Sequence, residues 1–352
     1  MDSARDWRGG QNQVLLTALG MSSRGHQVRV ACQAGGAFEA RARAAGLPTA
    51  PMVFHGDLSP RPVLALARLL RQERPEIVHL HDPHALAAGV LAASLGAGAP
   101  LVATRRVDFR LRGLASRWKH RSCARVVAVS QAIANVLAGD GLLAPRVRIV
   151  YEGVPDRPAQ PGGRAALAAL GVPPDAPVVG NVAALTDHKD HATLLDAAVL
   201  VTARLPATRF VIVGEGALRK RLEAQARASG LDGRVIFTGF RSDLDCLLPA
   251  FTVFCLSSHM EGLGTSVLDA MAFARPVVAT AAGGIPEAVA DGRTGRIVPI
   301  RDAHALAGAL VELLLDPARG EALGAAGRSR FEEEFTADRM VERTLAVYGE
   351  VA

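Results

Sequence analysis

Two successive α/β domains, each a doubly wound parallel sheet, are predicted by three observations. Short β-type runs alternate with longer helix-type runs along the whole chain, the rhythm of parallel strands covered by helices. That rhythm breaks once, between Pro155 and Pro177, where prolines and the pair Gly162-Gly163 crowd together. The length, 352 residues, suffices for two ordinary cores.

In the first half the strand-like runs are Gln27–Cys32, Ala50–Phe54, Ile77–Leu80, Leu101–Thr104, Val126–Val129 and Val147–Val150, with helical stretches such as Val63–Gln72 and Ala85–Leu95 between them. This predicts an N-terminal domain over 1–154, followed by a linker over 155–177 with one short Ala/Leu helix around Arg164–Leu170. A second set, Val178–Val182, Arg209–Val213, Val235–Thr238, Val253–Leu256, Pro276–Thr280 and Arg296–Val298, predicts a C-terminal domain over 178–336. Helices over Ala192–Ala203, Ala217–Ala228 and Ala303–Leu315 separate these strands, and a last helix within 337–352 is expected to cross back onto the first domain. The opening is irregular. A doubly wound domain starts with a core strand feeding a glycine loop, but here Gly9-Gly10 follows only eight residues, so the first strand is expected to be missing or replaced by Asp2–Trp7.

Composition narrows the class. Charged residues make up 21 % and about half the chain is apolar, which excludes disordered and fibrous chains. The four cysteines, Cys32, Cys123, Cys246 and Cys255, form no CxxC pair, so neither a disulfide framework nor a thiolate metal site is expected. The apolar run Leu247–Leu256 is too short to span a bilayer and contains Pro249, and Met1–Arg8 has no signal-like apolar region. A cytoplasmic protein is the expectation. Residues 1–150 hold 20 Lys/Arg against 9 Asp/Glu, whereas 151–352 hold 20 against 25. Eight of the basic residues fall between Arg105 and Arg125, with Asp108 the one acid among them. Such a stretch is either a solvated helix face or a surface for an anionic partner, which predicts peripheral attachment to the cytoplasmic face of a membrane. No nucleic-acid motif accompanies the charge, and aromatics are only 4 %, so nucleic acid is not the expected partner.

Several loops at strand ends could carry chemistry. Gly9-Gly10 opens a helix near Gln11, whose free N–H groups could hold a phosphate, although a glycine pair before a helix is more often only a turn. Gly214-Glu215-Gly216 follows an apolar strand at the edge where ligands approach a parallel sheet, and lacks the third glycine of the dinucleotide fingerprint. The densest signal is Ser257 to Ala272: a strand end, then Glu261-Gly262-Leu263-Gly264, then a helix from Thr265 that carries Asp269. Backbone N–H groups near Gly262 to Thr265 could receive a diphosphate while two carboxylates hold hydroxyls; the plain alternative is a helix cap. Gly283-Gly284 and Glu287 form a similar loop-to-helix entry, and Lys189 after the strand Val178–Val182 could neutralise a leaving diphosphate or be an ordinary turn lysine. In the first half, His79-Leu80-His81-Asp82 ends a strand. Its spacing does not suit a metal, and an acceptor-orienting role for His81 or Asp82 fits better. Thr104-Arg105-Arg106 would add positive potential at the same edge, while Ser130 is a plain N-cap outside any GxSxG elbow.

Over nearly its whole length the chain resembles the family 4 retaining glycosyltransferases. Glu261 through Asp269 is similar to that family's E-x7-E element, with Asp as the second acid. The resemblance implies a GT-B architecture, two Rossmann-like domains facing across a cleft, and a nucleotide diphosphate sugar as donor substrate. On the residues themselves no metal and no other cofactor is expected. It assigns Glu261 to the transferred sugar, Asp269 to the nucleotide ribose, and Phe240-Arg241 to the base-binding turn. Gly9-Gly10, Lys189, Gly214-Glu215-Gly216, Gly283-Gly284 and Glu287 also match family positions. Two positions depart. Ala183-Ala184-Leu185 stand where an Arg is common before the lysine, and Arg105-Arg106 stand where some members have His, which makes Arg106 an acceptor-side or diphosphate-side candidate. The expected activity is transfer of a hexose-type sugar with retention to a glycan or lipid-linked acceptor in cell-envelope or polysaccharide biosynthesis. An epimerase of GT-B fold and a non-catalytic sugar-binding protein are the alternatives.

Overall fold

The computed structural model describes residues 1–54, 60–96, 98–111, 113–142 and 144–352. The chain divides into two compact units, one of Met1–Gly153 with Ala337–Ala352, the other of Val154–Thr336. Among the described residues twelve strands are all parallel to their neighbours: β1 Val30–Gln33, β2 Thr49–Met52, β3 Val78–Leu80, β4 Leu101–Arg105, β5 Arg125–Ala128, β6 Val147–Ile149, β7 Val178–Val182, β8 Arg209–Val213, β9 Val235–Gly239, β10 Val253–Leu256, β11 Val277–Thr280 and β12 Arg296–Val298. The alternating strand and helix runs of the sequence therefore become two parallel-sheet α/β domains.

In the second unit six strands run in the order β12-β11-β10-β7-β8-β9. The order reverses between β7 and β10, so the carboxyl ends of these two neighbours diverge and leave a crevice, the place where open α/β sheets take ligands. The sheet is buried on both faces, so its strands read as nearly continuous apolar runs: every residue of β10 and β11 is buried. Helices His191–Arg204 and Ala303–Leu315 pack against each other over one face, with Leu194, Leu195, Val201, Leu306 and Leu310 in the core. Gly180 in β7 gives the Phe251 ring its place, since a Cβ there would lie 1.9 Å from the ring.

The first unit holds a two-stranded sheet, β1-β2, and a four-stranded sheet, β3-β4-β5-β6. Between β1 and β3 runs only Met1–Ser3. Asp2 bridges Cys32 in parallel register, its N–H donating to Ala31 O at 3.1 Å, while the Met1 amine donates to His79 O at 2.6 Å and Met1 O accepts from His81 N at 3.1 Å. The expected gap at the first strand is thus filled by a single bridged residue; Arg5–Trp7 do not extend it. A cavity of about 1130 Å³ flanks this position, lined among others by Val30, Leu66, Val78 and Tyr348. Helix Ala337–Gly349 belongs to this unit and packs on helix Gly9–Ser22, with Val341 against Gly20 and Asp338 on Arg24 at 2.8 Å.

Residues 155–177, read from sequence as a linker, cluster with the second unit, where helix Gly163–Ala169 packs on Leu244–Leu247. The reason is steric fit: Gly163 lies so close to Cys246 that a Cβ would sit 2.3 Å from its carbonyl oxygen. The Gly180→Ala variant should lose about 3 kcal/mol through overpacking against Phe251, measured as a lowered midpoint of urea unfolding.

Candidate active site

The second unit assembles its candidate residues at the β7/β10 crevice. Asn181 in β7 donates to Cys255 O in β10 at 2.8 Å and contacts His191 Nε2 at 3.0 Å, which ties both strands to the helix that follows β7. Burial pushes the His191 imidazole down to about 4, so it is a neutral structural partner. Ahead of that helix the chain makes a tight turn, Asp187–Lys189, and Asp190 adopts φ 47° to cap the helix through Thr193 N. Lys189 is thereby aimed back over the crevice. Its Nζ lies 2.5 Å from Glu261 Oε1, across 72 residues of sequence.

Glu261 is held from several sides. Ser258 Oγ donates to its Oε1 at 2.8 Å, and Ser257 Oγ donates to Lys189 O at 3.1 Å, so both serines after β10 brace the pair. His259 N donates to His188 O at 3.0 Å, stitching the two loops together. Gly283, at φ 51°, passes so close beneath Glu261 that a Cβ would lie 1.8 Å from its carbonyl oxygen. That approach is a packing reason for a glycine which the sequence marks only as room for a ligand. Gly284 caps the four-residue helix Ile285–Ala288, and Arg330 donates to Glu287 O at 2.7 Å.

Gly262, Leu263 and Gly264 lead into helix Thr265–Ala272, with Leu263 fully buried and Gly264 in the left-handed region at φ 84°. Asp269 lies on this helix with its side chain mostly buried. Burial pushes its carboxyl up to about 6, against the pull of Arg157, whose Nη2 is 3.1 Å from Oδ1. Gly214 and Gly216 pack on the loop after β7: Cβ atoms there would lie 2.0 Å from Ala183 O and 2.3 Å from Leu185 O. Between them Glu215 pairs with Arg219. Phe240 is 69 % exposed after β9, and Arg241 pairs with Asp243 at 2.5 Å.

The first unit gathers a second group at the ends of β3 and β4. Arg106 Nε contacts Glu152 Oε1 at 2.9 Å, and its Nη1 lies 3.3 Å from His81 Nδ1. Helix Gly9–Ser22 starts two residues earlier than expected, and a Cβ on Gly10 would sit 3.8 Å from Arg106 Cδ, so His81, Arg106 and the glycine pair converge. Burial, with His79, the Met1 amine and Arg106 nearby, holds His81 well below the usual histidine range, so its ring is neutral. Three neighbours turn out to have structural partners. Asp82 caps helix Pro83–Ser94 and accepts from Ser3 N and Oγ at 2.6 Å; His79 joins Tyr348 OH and Thr104 Oγ1, each at 2.6 Å; Arg105 is buried against Phe109. Sequence reading missed Glu152 and Arg157, which carry no motif spacing and reach their partners only through the fold, while Ser258, inside the marked stretch, reaches Glu261 three residues on. Among the described residues no group of three or more His, Cys, Asp or Glu side chains is arranged to hold a metal ion.

Arg105–Arg125 is only partly a free basic face. Arg105 and Arg106 point inward, Arg125 pairs with Glu350 at 2.7 Å, and Arg112 lies outside the described residues. Helix Gly113–Arg121 buries only His120 and exposes Leu114 by 83 % and Trp118 by 50 % beside its basic last turn. Among the described residues no helix is long and apolar enough to cross a membrane.

Comparison with known proteins agrees across both units. Residues 165–330 match the family described as Glycosyl transferases group 1, and residues 7–157 match Glycosyltransferase Family 4. Alpha-maltose-1-phosphate synthase of Mycolicibacterium smegmatis is 35 % identical over 314 residues, 80 % of each chain. The 2-deoxystreptamine N-acetyl-D-glucosaminyltransferase of Streptomyces fradiae is 31 % identical over 81 % of this chain and 73 % of its own. The fold is shared with Anabaena Alr3699/HepE, solved in complex with UDP and glucose, at a TM-score of 0.85 and 22 % identity over 99 % of this chain and 100 % of that one. The chain belongs to the family 4 glycosyltransferases, retaining enzymes of GT-B fold that use nucleotide sugar donors.

Proposed function

We propose that the β7/β10 crevice of the second unit is the donor site, and that Lys189 and Glu261 are its working pair. The observation that carries this reading is their contact at the topological switch point, braced by Ser257 and Ser258. Lys189 stabilises the charge that develops on the departing diphosphate, together with the backbone N–H groups of Gly262 to Thr265 at the start of their helix. Glu261 accepts hydrogen bonds from the transferred hexose. With Lys189 and Ser258 on one carboxylate oxygen, it is an orienting acceptor and not a poised nucleophile. Retention then follows from same-face attack, with the leaving phosphate taking the acceptor proton. Asp269 holds the ribose, Phe240-Arg241 flank the base, and Gly214, Glu215, Gly216, Gly283, Gly284 and Glu287 shape the surrounding loops.

Lys189 contacts Glu261, so a diphosphate bound at Lys189 shares that ammonium with the carboxylate. This favours a donor that supplies both an anion for Lys189 and hydroxyls for Glu261, which a nucleotide sugar does. In the first unit Arg106, His81 and the Gly9-Gly10 helix start form an anion- and hydroxyl-binding corner suited to acceptor or diphosphate. The acceptor is a glycan or a lipid-linked sugar of envelope or polysaccharide assembly. The enzyme works on the cytoplasmic face of a membrane, attached through helix Gly113–Arg121, where Leu114 and Trp118 can enter the interface beside the basic last turn.

Calorimetry with UDP, GDP and their sugars tests the donor site. Lys189→Ala should weaken binding of the preferred diphosphate on the order of tenfold or more, the usual worth of a charge-assisted contact. Glu261→Ala should weaken the nucleotide sugar while tightening the bare diphosphate, since it frees the Lys189 ammonium. A folded wild type that binds no nucleotide would overturn the reading. Because Asp269 ionises only above about pH 6, the affinity for the ribonucleotide should fall as pH drops through that value. Asp269→Asn should lack this part of the fall, leaving only the titration of the diphosphate itself. Flotation at low salt with liposomes containing anionic lipid should carry the protein upward, and Leu114→Ser with Trp118→Ser should leave it at the bottom; wild type that never floats rules out the attachment.

A further inference from the structure

The contact between Arg157 and Asp269 deepens the donor-site reading and rests on it. Asp269 is one methylene shorter than the glutamate expected at this position, and its Cα is fixed by helix Thr265–Ala272. Its side chain is only 20 % exposed, with Oδ1 taken by Arg157 Nη2 at 3.1 Å. Oδ2 carries no hydrogen bond among the described residues. The same Nη2 lies 3.2 Å from Asp245 Oδ1, so one guanidinium sits between two carboxylates.

Arg157 is itself held in place. Val154 N donates to Phe335 O at 3.0 Å, Asp156 takes both terminal nitrogens of Arg328 at 2.8 and 2.7 Å, and Gln160 N donates to Asp245 O at 2.9 Å. The extended segment is therefore pinned on both sides of Arg157. Its buried Nε has no hydrogen-bond partner, so its polar contacts run through the end of the guanidinium that faces the two acids. A guanidinium delivered from a fixed backbone can lock one carboxylate oxygen and leave the other aimed outward.

We propose that Arg157 is a positioning residue for the donor's ribose: it pins Asp269 Oδ1 so that Oδ2 accepts from the vicinal 2′,3′-hydroxyls. Asp245 balances the arginine and keeps the pair from closing into a fully neutralised bridge. Recognition of ribose over deoxyribose then depends on a residue that does not touch the nucleotide. The sequence element that carries Arg157 lies more than a hundred residues from the acid it serves.

Titration calorimetry with UDP and GDP beside their 2′,3′-dideoxy forms, on wild type, Arg157→Ala and Arg157→Lys, tests this. Wild type should bind the ribo form of the preferred nucleotide on the order of tenfold more tightly than the dideoxy form, the worth of hydrogen bonds to a charged acceptor. In Arg157→Ala that preference should collapse because the ribo form weakens, while the dideoxy form binds as in wild type. Arg157→Lys should recover part of the preference, since it keeps the charge without the planar fork. An undiminished ribo preference in Arg157→Ala overturns the inference while leaving the donor site standing, and so does an equal loss for both forms, which marks a merely structural role. Wild type that binds no nucleoside diphosphate removes the donor-site reading and this inference with it.

Discussion

The parallel pairing of β7 with β10 is the constraint on which the second unit depends. It brings together strands separated by more than seventy residues and reverses the winding direction of the sheet at that point. Asn181 ties β7 to the carbonyl of Cys255 in β10 and to His191 on the following helix, all within buried surroundings. With both strand ends fixed, the loops beyond them have little freedom, and Lys189 meets Glu261 as a consequence. The tight turn at Asp190 and the close passage of Gly283 complete that arrangement.

The candidate cations share a feature. Lys189 rests on Glu261, Arg157 on Asp269 and Asp245, and Arg106 on Glu152. Each is partly buried, where an unpaired charge would be costly, so an acid partner keeps it in place without a ligand. A diphosphate or a polyol entering such a site exchanges one set of charge-assisted contacts for another. This limits the net affinity that charge alone can give and shifts discrimination toward geometry.

The first unit solves a different problem. Its sheet is carried across its middle by Met1–Ser3, and a buried polar group knits that point together: Asp82 with Ser3, Gln11 with Asp2, and His79 between Tyr348 and Thr104. Desolvation keeps both His79 and His81 neutral beside the charged Met1 amine and Arg106. Helix Ala337–Gly349 covers one side and supplies Tyr348, so the end of the chain helps stabilise its beginning.

The sequence by itself determined the two parallel α/β sheets, because both-face burial forces continuous apolar runs and helical crossovers, and strands such as Val178–Val182, Arg209–Val213 and Val253–Leu256 are legible to the residue. It also marked the loop from Glu261 to Asp269, since a strand end, glycines and two acids at helical spacing are local features. What only the tertiary structure decided are pairings between distant segments: Lys189 with Glu261, Arg157 with Asp269, Arg106 with Glu152. It gave Asp82, His79 and Arg105 structural partners, set His81 beside Arg106, and drew residues 155–177 into the second unit through the fit of Gly163 on Cys246. Local propensity and periodicity act over a few residues along the chain. The partner of a buried charge is chosen by the packing of whole elements, and no spacing in the sequence records it.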